Sequence, residues 1–221
     1  MTYGTVHRTR VKICCIQDLE EARLAIRRGA SAIGLVSAMP SGPGPIPESR
    51  IALIAAMAPP GVDTFLLTCE QTAEGVIRQQ NSVHVRTIQL VDEFPVEDYA
   101  VVRDEFPELR LVQVLHVRNE DAVEQARAVM PHVDAILLDS GNPELRTKEL
   151  GGTGRIHDWN ISRNIVEASD IPVYLAGGLT PENVRQAVEI VKPFGVDVCS
   201  GVRTHGRLDE KKVEDFFAAL R

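Results

Sequence analysis

Eight short apolar runs recur along the chain, and no other feature limits the fold as much. They are Val11–Cys15, Ser31–Ser37, Asp63–Cys69, Thr87–Val91, Leu109–Val117, Ala135–Ser140, Val173–Gly178 and Asp197–Val202. Each is rich in Val, Ile or Leu and mostly continuous rather than alternating, as strands covered on both faces of a parallel sheet are. Between them the apolar residues take helical spacing: Leu19, Ala22, Ala25 and Ile26; Ile51, Ile54 and Ala55; Val123, Ala126 and Val129; Val184, Ala187, Val188 and Val191; Val213, Phe216, Phe217 and Leu220. A further helix is read near residues 71–80. Eight strands, each followed by a helix, predict an α/β fold of the closed (β/α)₈ barrel kind, since open doubly wound sheets stop more often at roughly five or six strands.

The length agrees. A chain of 221 residues fits one barrel of roughly 200–250 residues, and no linker divides it. We read residues 1–221 as a single barrel domain, with 1–10 as an N-terminal extension. Caps mark several helix ends. Gly29 follows the cationic pair Arg27-Arg28, Asn119-Glu120-Asp121 opens one helix, and Thr180-Pro181-Glu182-Asn183 offers a hydroxyl N-cap, a proline at the first helical position and an acid in the first turn. Two connections are long, Ala38–Pro47 and Gly141–His157. Both follow strands, so both belong to the face of a barrel where chemistry is built.

Composition removes several function classes. A net charge of −7, no basic block and 5% aromatic residues leave no groove for nucleic acid. No run of about 18 apolar residues exists to cross a membrane, and Met1–Arg10 lacks the apolar core of a secretory signal. The chain therefore reads as cytoplasmic, with no membrane partner, and its four scattered cysteines as free thiols. Its six histidines show no metal-ligand spacing, and neither a dinucleotide fingerprint nor a P-loop follows the first strand. Neither a metal nor a cofactor is expected.

The residues left to carry chemistry sit at strand ends. Glycine clusters at Gly151–Gly154, Gly177–Gly178 and Ser200-Gly201 follow the sixth, seventh and eighth strands. Single glycine clusters usually just turn the chain. Three in these positions suggest backbone amides grouped around a phosphate, because the last turns of a barrel are its common phosphate site. Cys14 ends the first strand on the same face as Lys12, while Cys15 should point toward the helices. A nearby ammonium would raise the thiolate fraction of a cysteine, so Cys14 is either a base or a small buried hydrophobe. Cys69 and Cys199 read as fillers, and His116 and His157 as packed or surface groups. Asp139 closes the aliphatic run Ile136-Leu137-Leu138. It is either a loop hydrogen-bonder or an acid whose burial raises its pKa toward catalytic values. A thiolate and a carboxylic acid on opposite walls of a barrel mouth could flank a small sugar, one taking a proton as the other gives one.

Motifs along the whole chain resemble those of the phosphoribosylanthranilate isomerase family. Lys12-Ile13-Cys14-Cys15 is similar to that family's KICG, Gly29–Val36 to GADAIGFVF, and Leu137-Leu138-Asp139 to LLD. Gly151-Gly152-Thr153-Gly154 with Asp158-Trp159 resembles GGTGxxFDW, Leu175–Val184 resembles LAGGLxPxNV, and Gly195–Val202 resembles GVDVSSGV. The resemblance implies a cofactor-free Amadori rearrangement of an anthranilate N-glycoside of ribose 5-phosphate. It gives Asp139 the role of acid at the furanose ring oxygen and Cys14 that of base at C2. Lys12, Gly152, Thr153, Gly154, Gly177, Gly178, Ser200 and Gly201 would bind substrate, with its phosphate on the last turns and the Gly152–Gly154 loop closing over it. The partner implied is a small phosphosugar, and the protein a monomer or homodimer.

The chain also departs from the family pattern. Where the family carries an SPR-type segment whose arginine grips the anthranilate carboxylate, this chain has Ser41-Gly42-Pro43-Gly44-Pro45. Gln89-Leu90-Val91-Asp92 stands in place of QLHG, Cys15 in place of the KICG glycine, and Arg203 where a glutamate often follows SSGV. An unpaired aryl carboxylate in a closed pocket costs several kcal/mol, so we expect Arg203 to supply the cation. The alternatives are an isomerase of another phosphosugar or phosphoribosylamine, and a non-catalytic phosphosugar-binding protein.

Overall fold

The computed structural model describes residues 9–141 and 157–221. Eight parallel strands close on themselves: β1 (Arg10–Ile13), β2 (Ala32–Val36), β3 (Asp63–Thr68), β4 (Thr87–Leu90), β5 (Arg110–His116), β6 (Ala135–Asp139), β7 (Val173–Leu175) and β8 (Gly195–Val198). The ring closes where β1 pairs with β8, setting Lys12 opposite Asp197 and Ile13 opposite Val198. Outside lie α1 (Leu19–Arg28), α2 (Glu48–Met57), α3 (Ala73–Val83), α4 (Val96–Glu105), α5 (Asp121–Val129), α6 (Trp159–Glu167), α7 (Val184–Val191) and α8 (Glu210–Ala219). A two-stranded ribbon of β9 (Arg203–Thr204) and β10 (Arg207–Leu208) precedes α8. This is the (β/α)₈ barrel that the apolar runs predict.

Local chemistry sets the helix ends. Asp18 caps α1 by accepting from the N–H groups of Glu20 and Glu21, and Gly29 ends the helix in the left-handed region at φ +105°. That angle costs a glycine little. The long core layer lies between strands and helices, with Ile33, Leu35, Ile54, Ile88, Ile136, Leu175, Val184 and Phe216 all wholly or nearly wholly buried. A second, smaller cluster fills the barrel itself: Ala32, Phe65, Val112, Val114, Ala135, Leu137, Tyr174 and Ala176 belong to it.

Three local expectations are corrected. The last strand runs Gly195–Val198, not to Val202, because Ser200–Val202 folds into a 3₁₀ turn after Cys199 leaves the extended region (φ −121°, ψ −82°). Thr180 does not cap α7. The helix starts at Val184, and the Asn183 side chain instead clamps the preceding turn, accepting from Thr180 N at 2.8 Å and donating to Gly178 O at 2.9 Å. Cys15 does not face the helices. It stands at φ +60°, which breaks strand alternation and keeps its side chain with the barrel-interior cluster.

Candidate active site

A cavity opens at the C-terminal ends of the strands. It is lined by Cys14 and Cys15 after β1, Met39, Ser41, Gly42 and Pro43 after β2, Gln89 on β4, Asp139 on β6, Gly177 and Gly178 after β7, and Asp197, Cys199 and Ser200 on and after β8. The hollow exists because residue size steps down along the inward face. Phe65 and Tyr174 pack edge to face deeper in the barrel, at 5.9 Å between centroids. One inward position further along β7 the side chain shrinks to Ala176. Gly34 makes room in the same way, since a Cβ there would fall 2.8 Å from Cys14 Sγ.

Beneath the cavity lining lies a buried ion pair. Lys12 is wholly buried, and its Nζ donates to Asp197 Oδ2 at 2.8 Å and to Cys14 Sγ at 3.6 Å while standing over the Phe65 ring. Burial alone would lower the Lys12 pKa, but the charges of Asp197 and Cys14 outweigh it and raise the value. Burial pushes the Asp197 carboxyl up, against the pull of Lys12. We take the pair as ionised, because an ammonium at 2.8 Å is the geometry of a charge-assisted hydrogen bond. Among the described residues Asp197 Oδ1 and Gln89 Oε1 are buried with no hydrogen-bond partner, and both residues line the cavity. Each is an acceptor available to a hydroxyl or an N–H of a bound molecule.

Asp139 ends β6 on the other side of the cavity. Its Oδ1 accepts from the Ser140 N–H at 2.7 Å. Burial raises its pKa, with Asp197 adding to the rise and the Ser140 N–H, His116 and Lys12 opposing it. Lys12 is committed to Asp197, so a second buried carboxylate is the costlier one to ionise and Asp139 keeps its proton to higher pH.

At the rim, Gly177 and Gly178 have φ of +85° and +63°, a backbone that L side chains rarely adopt. A Cβ at Gly177 would also press on His157 Nδ1 and Ser140 Oγ at 3.1 Å. Gly201 lies against the Leu179 carbonyl so closely that no side chain would fit, which fixes the turn that carries Ser200. The chain thus brings Cys14, Asp139, Gly177, Gly178 and Ser200 to one cavity. Gly152, Thr153 and Gly154 lie outside the described residues.

Arg203 requires a correction. Its guanidinium is buried away from the cavity, donating to both Glu21 carboxylate oxygens at 3.2 and 3.1 Å and to the carbonyls of Cys14, Cys15 and Gly206. It pins the end of β1 to α1 and does not line the cavity. None of the described residues lining the cavity is cationic.

Sequence reasoning missed Asp197, Gln89 and Gly34 as parts of the site. The argument applied to Asp139, an acid ending an apolar run, would have found Asp197 as well. It also took Cys199 for a filler, whereas the Sγ atoms of Cys199 and Cys15 lie 2.7 Å apart on the cavity wall.

A parallel barrel with buried acids, a thiol and positive-φ glycines gathered at its C-terminal mouth has the build of a barrel enzyme. The family model of N-(5'-phosphoribosyl)anthranilate isomerase matches residues 11–219. The chain is 38% identical to the N-(5'-phosphoribosyl)anthranilate isomerase of Haloferax volcanii, over 96% of this chain and 93% of that one. It is 35% identical to that of Methanocella arvoryzae, over 96% and 98%. Among solved structures, the phosphoribosyl anthranilate isomerase of Thermotoga maritima superposes with a TM-score of 0.82 at 30% identity, over 96% of this chain and 98% of that one. A similar isomerase, with a TM-score of 0.80 at 28% identity over 96% and 98%, was solved in complex with reduced 1-(o-carboxyphenylamino)-1-deoxyribulose 5-phosphate. The chain belongs to the phosphoribosylanthranilate isomerase family, the isomerases of tryptophan biosynthesis.

Proposed function

We propose that this chain rearranges N-(5'-phosphoribosyl)anthranilate to 1-(2-carboxyphenylamino)-1-deoxyribulose 5-phosphate, with Asp139 as general acid and Cys14 as general base. Asp139 gives its proton to the furanose ring oxygen, and the C1–O bond breaks to leave a Schiff base between C1 and the aryl nitrogen. Cys14, as thiolate, removes the proton from C2, and the electron pair moves through the C1–C2 bond to the nitrogen. The resulting enolamine tautomerises to the ketone, so no atom is gained or lost. The phosphate sits on the amides around Gly177, Gly178, Ser200 and Gly201, and Gly152, Thr153 and Gly154 are further substrate-binding residues that lie outside the described residues. Lys12 holds negative charge on the Cys14 side of the cavity and acts through Cys14 and Asp197. The protein works in the cytoplasm, where disulfides that form are returned to thiols.

The observation that carries this reading is the cavity that Cys14 and Asp139 line from two different strand ends, with Lys12 Nζ 3.6 Å from the sulfur. The test is the decay of substrate fluorescence on adding the purified chain to freshly made phosphoribosylanthranilate. Cys14→Ser and Asp139→Asn should each lower kcat by about 10²–10⁴ while the protein stays folded. An Asp139→Asn protein with wild-type kcat/KM would remove the acid assignment. One observation favours a second reading. With no cation among the described lining residues, the aryl carboxylate lacks a partner there, so the same acid–base pair would serve another amine aglycone. Full turnover of an uncarboxylated phosphoribosylarylamine, with none of phosphoribosylanthranilate, would select that reading.

A further inference from the structure

Two of the departures from the family's motifs meet in space. Cys15 stands where the family has the glycine of KICG, and Cys199 where it has the first serine of GVDVSSGV. One follows the first strand and the other follows the last. Because β1 pairs with β8, their Sγ atoms lie 2.7 Å apart. A disulfide bond measures about 2.05 Å.

Neither thiol is a casual resident. Cys15 keeps a left-handed backbone at φ +60°, the conformation a glycine tolerates and a β-carbon strains. The loop after β2 crosses directly over it, so near that a Cβ added at Gly44 would lie 2.7 Å from Cys15 Cβ. Both sulfurs belong to residues lining the cavity, so a small reagent that enters the cavity reaches them.

We propose that Cys15 and Cys199 form a reversible redox site, closing to a disulfide that ties the end of the first strand to the end of the last. The Sγ–Sγ hydrogen bond with Cys15 and the positive charge of Arg203 hold Cys199 below its ordinary pKa, while hydrogen bonds with Cys14 and Cys199 and burial raise Cys15. The proton of the pair therefore rests on Cys15, and Cys199 attacks first. Its thiolate takes one sulfur of a small dialkyl disulfide and expels one thiolate. Cys15 then loses its proton to solvent and attacks Cys199 Sγ in the mixed disulfide, expelling the second thiolate. Two electrons pass from the cysteine pair to the small disulfide, which departs as two thiols. Cys14 is spared, and a small dithiol reopens the bridge by the same exchange in reverse, giving up two electrons and two protons and leaving as its own cyclic disulfide.

The experiment needs no turnover, so it stands or falls apart from the acid–base assignment. The full chain is equilibrated with oxidised glutathione, and free thiols are counted by alkylation and intact mass before and after dithiothreitol. Of the four free cysteines, the wild type should lose two, without glutathione adducts, and regain them on reduction. Cys14→Ser should still lose two thiols. Cys199→Ser should lose none to a bridge, and neither should Cys15→Gly, which suits the left-handed backbone and so protects the fold. A wild type that keeps all four thiols, one that ends as glutathione adducts, or a Cys15→Gly protein that still bridges would each overturn the proposal.

Discussion

The two ends of the barrel are built from the same eight strands and do opposite things. The floor is closed by aromatic packing. Tyr174 meets Phe65 at 5.9 Å and Phe194 at 5.4 Å, both edge to face, and Arg10 lies over the Phe194 ring. Its charges, Arg10, Asp63 and Arg110, pair at the edge, where solvent reaches them. The mouth instead holds a wholly buried lysine, two buried carboxylates and two orphaned acceptors around open space. Floor residues gain from burial what mouth residues lose to desolvation. Stability and chemistry are thus separated along the strand axis, a few residues apart on each strand.

The largest test of that separation is Tyr174→Ala. Removing a ring buried among two other rings should cost about 3–5 kcal/mol in urea denaturation. The folded fraction should keep its kcat/KM, because Ala176, and not Tyr174, lines the cavity. A collapse of kcat/KM in protein that is demonstrably folded would mean that the floor sets the geometry of the mouth.

Lys12→Met asks the reverse question. It leaves Asp197 buried without its cation, at a cost of about 3–5 kcal/mol, and also takes the ammonium from beside Cys14. Both stability and kcat should fall. In Lys12→Met/Asp197→Leu the stability should largely return while the activity does not. Recovery of both would assign Lys12 a purely structural role.

How far could this division be read from the chain alone? The strands were legible because parallel strands buried on both faces leave long apolar runs, and the adjacency of β1 and β8 follows from closing the ring. What failed was local. The inward or outward sense of Cys15 depends on alternation, and alternation ends where the backbone turns to φ +60°. Arg203 does arrive beside β1, as its place after the last strand implies. Its two terminal nitrogens are then held by Glu21, a buried acid on a helix whose sequence looks like any exposed face. The end of β8 was misjudged because Ser200–Val202 is shaped by contact with Leu179, a partner two elements away. The Lys12–Asp197 pair spans 185 residues, and neither residue alone signals the other.

Arg203→Met sharpens the distinction between holding the mouth and touching what enters it. The substitution should cost about 3 kcal/mol, near the lower end for a broken buried pair, because the N–H groups of Gln17 and Leu208 still reach Glu21. The KM for phosphoribosylanthranilate should not change, since both terminal nitrogens of the guanidinium are held by Glu21 and by the Cys14, Cys15 and Gly206 carbonyls, and Arg203 does not line the cavity. A rise in KM without loss of stability would show that Arg203 reaches substrate after all.

The smallest effect concerns acid. Burial holds His157 down to about 4, against 6.5 for the free side chain, with Asp158 opposing only in part. A group whose pKa is lower folded than unfolded adds stability above its unfolded value, and that stability drains away as pH falls toward the folded one. The window is therefore pH 6.5 down to about 4, over which His157 should account for about 2–3 kcal/mol of lost stability. His157 shares a 2.7 Å hydrogen bond with Ser162 Oγ and stands beside Gly177, so its protonation charges the wall of the mouth and leaves the aromatic floor untouched. Urea titrations at pH 7 and pH 4.5 should show a smaller difference in His157→Gln than in the wild type. Equal differences would mean that His157 does not carry the acid sensitivity of the mouth, because burial raises both Asp139 and Asp197 and acid favours carboxyls shifted that way.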